Sequence, residues 1–181
     1  MTEPTGVSAR VEELRRAFDR AFAEAPDARN EPTEDLLAIR VAGKAYAVRM
    51  AEISGLAVDR RIVPVPGSLP ELVGLVGVSG RIRPVYDLGA LLGAPAEEPG
   101  RWLLFLGRAD PVALAFSQLD GRLRAAQRDV APPQAEGTEA WSKHVLEVVR
   151  IGSAPCPILN LASIREAIEQ RVRALGPRQE R

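Results

Sequence analysis

The chain carries few side chains able to do covalent or metal chemistry, and none keeps the company that chemistry needs. His144 is the single histidine, next to Lys143 and close to Trp141. A general base needs a nucleophile or an orienting partner beside it, and a metal centre needs several ligands at fixed spacing. Neither surrounds His144, so it reads as a solvated or strand-starting residue. Cys156, the only cysteine, lies between Pro155 and Pro157 at the head of an apolar run. With no basic neighbour to lower its pKa it reads as a small buried hydrophobe, and alone it forms no internal disulfide. Asp87 is placed to cap a one-turn helix over Leu88–Leu92, and Asp120-Gly121 has turn composition. Gly74, Gly77 and Gly80 punctuate strand and turn instead of preceding a long helix, which argues against a phosphate-binding loop. The expectation is a protein without catalytic residues, metal or cofactor.

The basic residues point to surfaces. Arg60-Arg61 and Arg81 with Arg83 form two pairs, and Arg122, Arg124 and Arg128 a further group. With 24 basic and 24 acidic residues the net charge is zero, and aromatics are only 4%. Nucleic-acid binding usually shows a basic domain or aromatics interleaved with the cations, so these arginines read as solvated faces. Alternation with Ile82 places Arg81 and Arg83 on one side of a strand, away from the core, where they can meet an acidic partner surface. A length of 181 residues with 46% hydrophobic content suits one domain, or two small packed subdomains, with an aliphatic core. No apolar run approaches the roughly 18 residues of a membrane span. The polar start shows helical periodicity without a signal-peptide pattern, so the expected location is cytoplasmic.

Several elements must hold these residues in place. Val11, Leu14, Phe18, Ala21, Phe22 and Ala25 recur at helical spacing, and Pro26 with the polar stretch to Glu34 ends that helix. Its apolar face needs cover: the same chain, a second copy or a partner groove. Strands follow at Leu36–Ala42 and Ala45–Arg49, then Arg61–Val65, then Leu72–Val78 and Arg81–Val85 around a tight Ser79-Gly80 turn. In that hairpin Gly74 and Gly77 allow close backbone approach, and Pro84 marks an edge or a bulge. Further strands read at Trp102–Leu106, Val112–Phe116, His144–Arg150 and Cys156–Leu161, with turns at Gly107–Asp110 and Gly152-Ser153. An exposed loop is expected over residues 129–140. Ile164, Ile168, Val172 and Leu175 stripe a terminal helix stopped by Gly176-Pro177. Short strands at regular spacing imply barrels or a sandwich, without deciding between them.

The run from Gly74 to Leu88, GLVGVSGRIRPVYDL, followed by Leu92-Gly93, resembles the signature of CheW-like domains, the adaptors of bacterial chemosensory arrays. Flanking segments agree: Leu36–Ala57 is similar to the family's opening hairpin, Ile62–Gly74 to the loop before the signature, and Cys156–Ile164 to the closing strand. The resemblance spans roughly Leu36 to Val172. It implies a mainly β fold of two SH3-like five-stranded β-barrels with an N-terminal amphipathic helix and a C-terminal helix. The implied division is helix and linker over 1–34, the CheW-like domain over 35–175, and a tail over 176–181. Within the domain, subdomain 1 takes about 35–93 plus the C-terminal helix, and subdomain 2 about 100–161.

By the same resemblance the function is non-enzymatic. The adaptor would link the cytoplasmic tip of a methyl-accepting receptor to the regulatory domain of a CheA-type histidine kinase. Ile53, Leu56, Val76, Val78, Ser79 and Arg81 would meet partners, with Phe116 and Ser117 across the cleft between barrels. Four positions depart from the family pattern. Its turn Asn and Arg fall at Gly77 and Ser79, a Glu after the opening hairpin falls at Gly55, and a Val-Asp pair is Phe116-Ser117. Replacing Arg by Ser removes five donors and a permanent charge. This leaves two readings: an adaptor joining receptor and kinase, or a divergent member that binds one partner as an array spacer or alternative-pathway component. An unrelated β-barrel enzyme or ligand-binding protein would need a deep polar pocket.

Overall fold

The computed structural model describes residues 32–66, 69–95, 100–107, 112–133, 143–151 and 154–175. The chain divides into units Met1–Thr33 and Glu34–Arg181, and the architecture below is that of the second. The expected N-terminal helix, the turn residues Arg108–Asp110 and Gly152-Ser153, and the stop at Gly176-Pro177 lie outside the described residues.

Eleven described strands form two antiparallel-rich sheets. In chain order they are β1 (Thr33–Val41), β2 (Lys44–Arg49), β3 (Ile53–Val58), β4 (Leu72–Val78), β5 (Arg81–Asp87), β6 (Trp102–Leu106), β7 (Val112–Phe116), β8 (Gln118–Ala126), β9 (Val130–Ala131), β10 (Val145–Ile151) and β11 (Ala154–Leu159). A one-turn helix α1 (Leu88–Leu91) follows β5, and α2 (Leu161–Ala174) closes the domain. One sheet runs β8-β1-β2-β11-β10-β9, the other β3-β6-β7-β5-β4.

Both sheets must curl. Five spacings of about 4.8 Å would put the edges of a flat six-stranded sheet about 24 Å apart. Yet edge strands β8 and β9 are joined by the single 3-10 turn Gln127–Asp129, and so few residues reach at most about 14 Å. In the second sheet, Val63 lies five residues beyond β3 and bridges Leu75 on the far edge strand β4. The Val63 and Leu75 amides each donate to the other's carbonyl at 2.8 Å. Two small barrels result.

Burial follows from that closure. Leu36, Ala47, Ala125, Val149, Cys156 and Ile158 fill one barrel. Val76, Val85, Leu103, Phe105, Ala113 and Ala115 fill the other. The alternate residues of the same strands, such as Ile39, Val48, Leu104, Leu114 and Phe116, meet Ile164 and Ile168 of α2 in a third, larger core between the sheets. Strands buried on both faces explain the uninterrupted apolar runs of β6 and β7.

Several sequence expectations hold and several change. Ser79 (φ 51°) and Gly80 (φ 72°) form the turn of the β4–β5 hairpin, and Ala42 (φ 47°) with Gly43 (φ 73°) the turn of β1–β2. Two successive positive φ values match the strand twist, as in type I′ turns. Asp87 caps α1, its side chain accepting from the Gly89 amide at 2.9 Å. Pro84 sits in an interior strand; the ladder with β7 begins one residue later at Val85, and the bulge lies in β4 between Leu72 and Gly74. The segment Arg61–Val65 makes one bridge and no strand. The α2 stripe buries Ile164 and Ile168, while Val172 and Leu175 stay 47% and 45% exposed.

Strand β8 corrects the expected turn at Asp120-Gly121, which lies within it. Gly121 instead continues the strand at φ 139°, and Asp120 pairs with Arg40 at 3.0 Å. The strands also divide differently from the expected subdomains. The chain leaves the first sheet through the turn Met50–Glu52 and returns through the single residue Ser117. The strands on either side of the proline-rich break near residues 94–100, β5 and β6, belong to one sheet. Breaker residues mark loops, and a strand that passes from sheet to sheet needs none.

Candidate partner-binding surface

The eight positions expected to meet partners separate into core and surface. Val76 is 2% exposed inside the second barrel and Phe116 1% exposed between the sheets, stacked 6.3 Å from Trp102. Their side chains hold the fold and cannot offer contact area. Ile53 is half-buried against the large core and Val78 against the barrel interior. Leu56, Ser79, Arg81 and Ser117 reach solvent. Ser117 donates its hydroxyl to the Arg40 carbonyl at 2.7 Å, so that group is committed to joining the sheets.

The outer face of the β4–β5 hairpin corrects a further expectation. Ile82 is 72% exposed, the largest exposure among the described large apolar side chains. It pairs with Gly77, where an added Cβ would meet nothing within 4 Å. Gly77 therefore leaves open space and does not admit a second backbone. Arg81 and Arg83 share the side of Val78 and Val76, toward the barrel's interior and open end. The Arg83 guanidinium lies 4.9 Å above the Phe105 ring, a cation–π cover for the barrel end. Assigning Ile82 to the core inverted the strand. Val85, in phase with Arg81 and Arg83, is buried inside the barrel, and that tertiary placement sets which face of the strand looks inward.

Leu56 (36% exposed) and Val58 (37% exposed) alternate on β3, the other edge of this sheet. They pair with Leu104 and Trp102, so they continue the inter-sheet apolar face out to solvent. Val58 and the 54% exposed Val63 add to the residues that the family resemblance implies. The domain thus carries exposed apolar groups on edge strand β3 and on the outer face of the β4–β5 hairpin, on a surface otherwise rich in ion pairs.

The groups weighed for chemistry are held structurally. His144 is buried at 3% exposure, not solvated. Ser163 gives its hydroxyl proton to the Asn160 carbonyl at 2.9 Å, so its oxygen accepts from His144 Nδ1 at 2.8 Å. Burial first, then Lys143 and Arg171, lower the His144 pKa and so favour the neutral ring. Asn160 caps α2 by accepting from the Ser163 amide at 2.9 Å. This network ties the start of β10 to the helix N-terminus. Burial raises the Cys156 thiol to about 11, with Asp120 adding to the shift, so it is not a nucleophile near neutral pH.

Arg49 gathers Glu34, Glu147 and, at 3.9 Å, Glu52 where β1, β2 and β10 meet. Burial raises the Glu52 pKa, partly opposed by Arg49. Among the described residues no three His, Cys, Asp or Glu side chains could hold a metal ion. The crevice lined by Asp87, Gly89, Phe116 and Ser117 has about 20 Å³, room for roughly one water. A trough of about 480 Å³ along α2, lined by Asn160, Ser163, Arg165, Glu166, Glu169 and Arg173, is open surface. No described helix is long and apolar enough to cross a membrane. What the arrangement can do is present side chains to other proteins.

Comparison with known proteins agrees. The model of the CheW-like domain matches residues 35–169. The crystal structure of the scaffolding protein TtCheW from Thermoanaerobacter tengcongensis shares the fold, with a TM-score of 0.62 at 14% identity over 71% of this chain and 89% of that one. A search of curated protein sequences found no match. With most of its length matched by the family model, this chain belongs to the CheW-like domain family, the non-enzymatic scaffolding adaptors of bacterial chemotaxis.

Proposed function

We propose that this protein works in the cytoplasm as a coupling adaptor, joining the tip of a methyl-accepting receptor to the regulatory domain of a CheA-type histidine kinase. The observation that carries the reading is the outward apolar display on one barrel: Leu56 and Val58 on β3, and Ile82 on the hairpin. Exposed apolar groups beside strand edges are how binding modules differ from inert domains. Two rigid barrels sharing a core fix the distance between whatever packs on them. Receptor rearrangement can then bias the kinase through geometry alone. Of the residues first assigned, Leu56, Ser79 and Arg81 remain available as contacts, Ile53 and Val78 support them, and Ile82 joins them.

A second reading, one partner only, draws on Gly55, Gly77, Ser79 and Ser117, where the family's amide and charged groups are missing. Calorimetric titration of the full chain against a receptor-tip fragment and, separately, the kinase regulatory domain decides between them. Binding to both supports coupling, with Ile82→Asp or Leu56→Asp weakening one of the two. Binding to a single partner establishes the second reading, and binding to neither overturns both.

A further inference from the structure

Four arginines gather at one end of the second barrel, and among the described residues no carboxylate pairs with any of them. Arg81 and Arg83 lie on β5 opposite Val78 and Val76. Arg60 and Arg61 arrive from the other side of β4. The antiparallel bridge at Val63 and Leu75 means that residues before Val63 run beside those after Leu75, toward Gly77 and Val78. Several described arginines elsewhere have a carboxylate partner: Arg40 with Asp120, Arg49 with Glu34, Arg101 with Asp59, Arg122 with Asp35 and Arg171 with Glu71. Asp59, the carboxylate adjacent in sequence to Arg60, is thus taken by Arg101.

Two more features share this end. Ile82 projects into solvent between Arg81 and Arg83 in sequence, beside the open position at Gly77. Arg83, its Nε and Nη1 buried over the Phe105 ring, adds fixed positive charge beneath this surface but offers those two donors to no incoming group. Like charges left together repel, and a counter-charge from outside relieves that repulsion. Phe105, the aromatic ring beside Arg83, is buried, which removes the stacking platform that single-stranded nucleic acid uses.

We infer that this end of the barrel docks an acidic protein segment bearing an apolar anchor, with Ile82 meeting the anchor and Arg60, Arg61 and Arg81 its carboxylates. The inference deepens the adaptor reading by naming the chemistry of a partner, and it rests on that reading only for the partner's identity.

The test titrates the isotope-labelled full chain with a synthetic amphipathic peptide whose glutamates flank a leucine stripe, following backbone resonances. Its glutamine counterpart, a DNA duplex and phosphatidylserine vesicles are run in parallel. The glutamate peptide should perturb Arg60, Arg61 and Arg81 to Arg83, and lose affinity as salt rises. The double variant Arg61→Ala/Arg81→Ala should weaken it about tenfold with the spectrum otherwise unchanged. Arg83 is left intact because it covers Phe105. Equal binding of the glutamine peptide, perturbation elsewhere, or no perturbation overturns the inference. So does stronger engagement of the same residues by DNA or vesicles. If the acidic peptide docks here while neither receptor tip nor kinase domain binds, the adaptor reading fails and the acidic dock stands.

Discussion

Closure of the second barrel depends on Gly74, and replacing it by alanine tests that dependence. The Cβ of alanine would lie 2.3 Å from the Val63 carbonyl oxygen and 2.8 Å from its carbon, at a backbone φ of 154°. Both atoms belong to the bridge that joins the segment after β3 to edge strand β4, so the clash cannot be relieved by rotating a side chain. Breaking the bridge forfeits two backbone hydrogen bonds, about 1 kcal/mol each. Keeping it instead forces an L-residue into a glycine conformation, about 1–3 kcal/mol. Added loss of packing by Ile62 brings the expected destabilisation to about 3–5 kcal/mol, a large part of the stability of a typical domain. Gly77, three residues on, is the internal control. It has open space and no positive φ, so Gly77→Ala should fall within about 1 kcal/mol of the parent. Urea denaturation of both variants, followed by circular dichroism, reads the difference as a shift in midpoint at constant slope. A Gly74→Ala midpoint within experimental error of Gly77→Ala would refute the closure argument.

The remaining expectations concern other parts of the domain. His144 has a pKa held below its ordinary value in the fold, so the unfolded chain takes up a proton first as pH falls. Its contribution is therefore complete above about pH 6.5 and declines on acidification, with a slope of at most about 1.4 kcal/mol per pH unit. Melting curves between neutral and mildly acidic pH should show a fall that His144→Gln largely removes. Cys156 is buried with its thiol raised to about 11, so labelling by a thiol reagent at mildly alkaline pH should proceed only at the rate of unfolding. Labelling at the rate of a free thiol would contradict its placement. Arg171→Ala removes the partner of Glu71, whose side chain is only 13% exposed. A loss of about 1–3 kcal/mol in urea melts is expected from the stranded carboxylate. Deleting residues 1–31 should leave cooperative melting, since β1 begins at Thr33 and the family match at residue 35. Non-cooperative melting would place the N-terminal segment in the core.

Local chemistry carried much of this domain in the sequence. Ser79-Gly80 between apolar runs set the hairpin, Asp87 before Leu88 set the cap, and the apolar runs from Trp102 and Val112 set two strands, because turns, caps and burial on both faces leave marks within a few residues. The family signature, carried by the same residues, named the fold. Three things left no local mark. Strand β8 is polar on one face and holds Asp120-Gly121, so only its place beside β1 makes it a strand. The phase of β5 relative to the barrel decides that Ile82 faces water and Arg83 does not, and neighbouring hydrophobicity argued the opposite. The sharing of strands between sheets turns on Ser117 and on a bridge from Val63 to a strand twelve residues later. Sequence spacing thus specified which elements exist. Which faces are free for partners was decided by closure of the barrels, a contact between segments distant in the chain whose free energy no single segment contains.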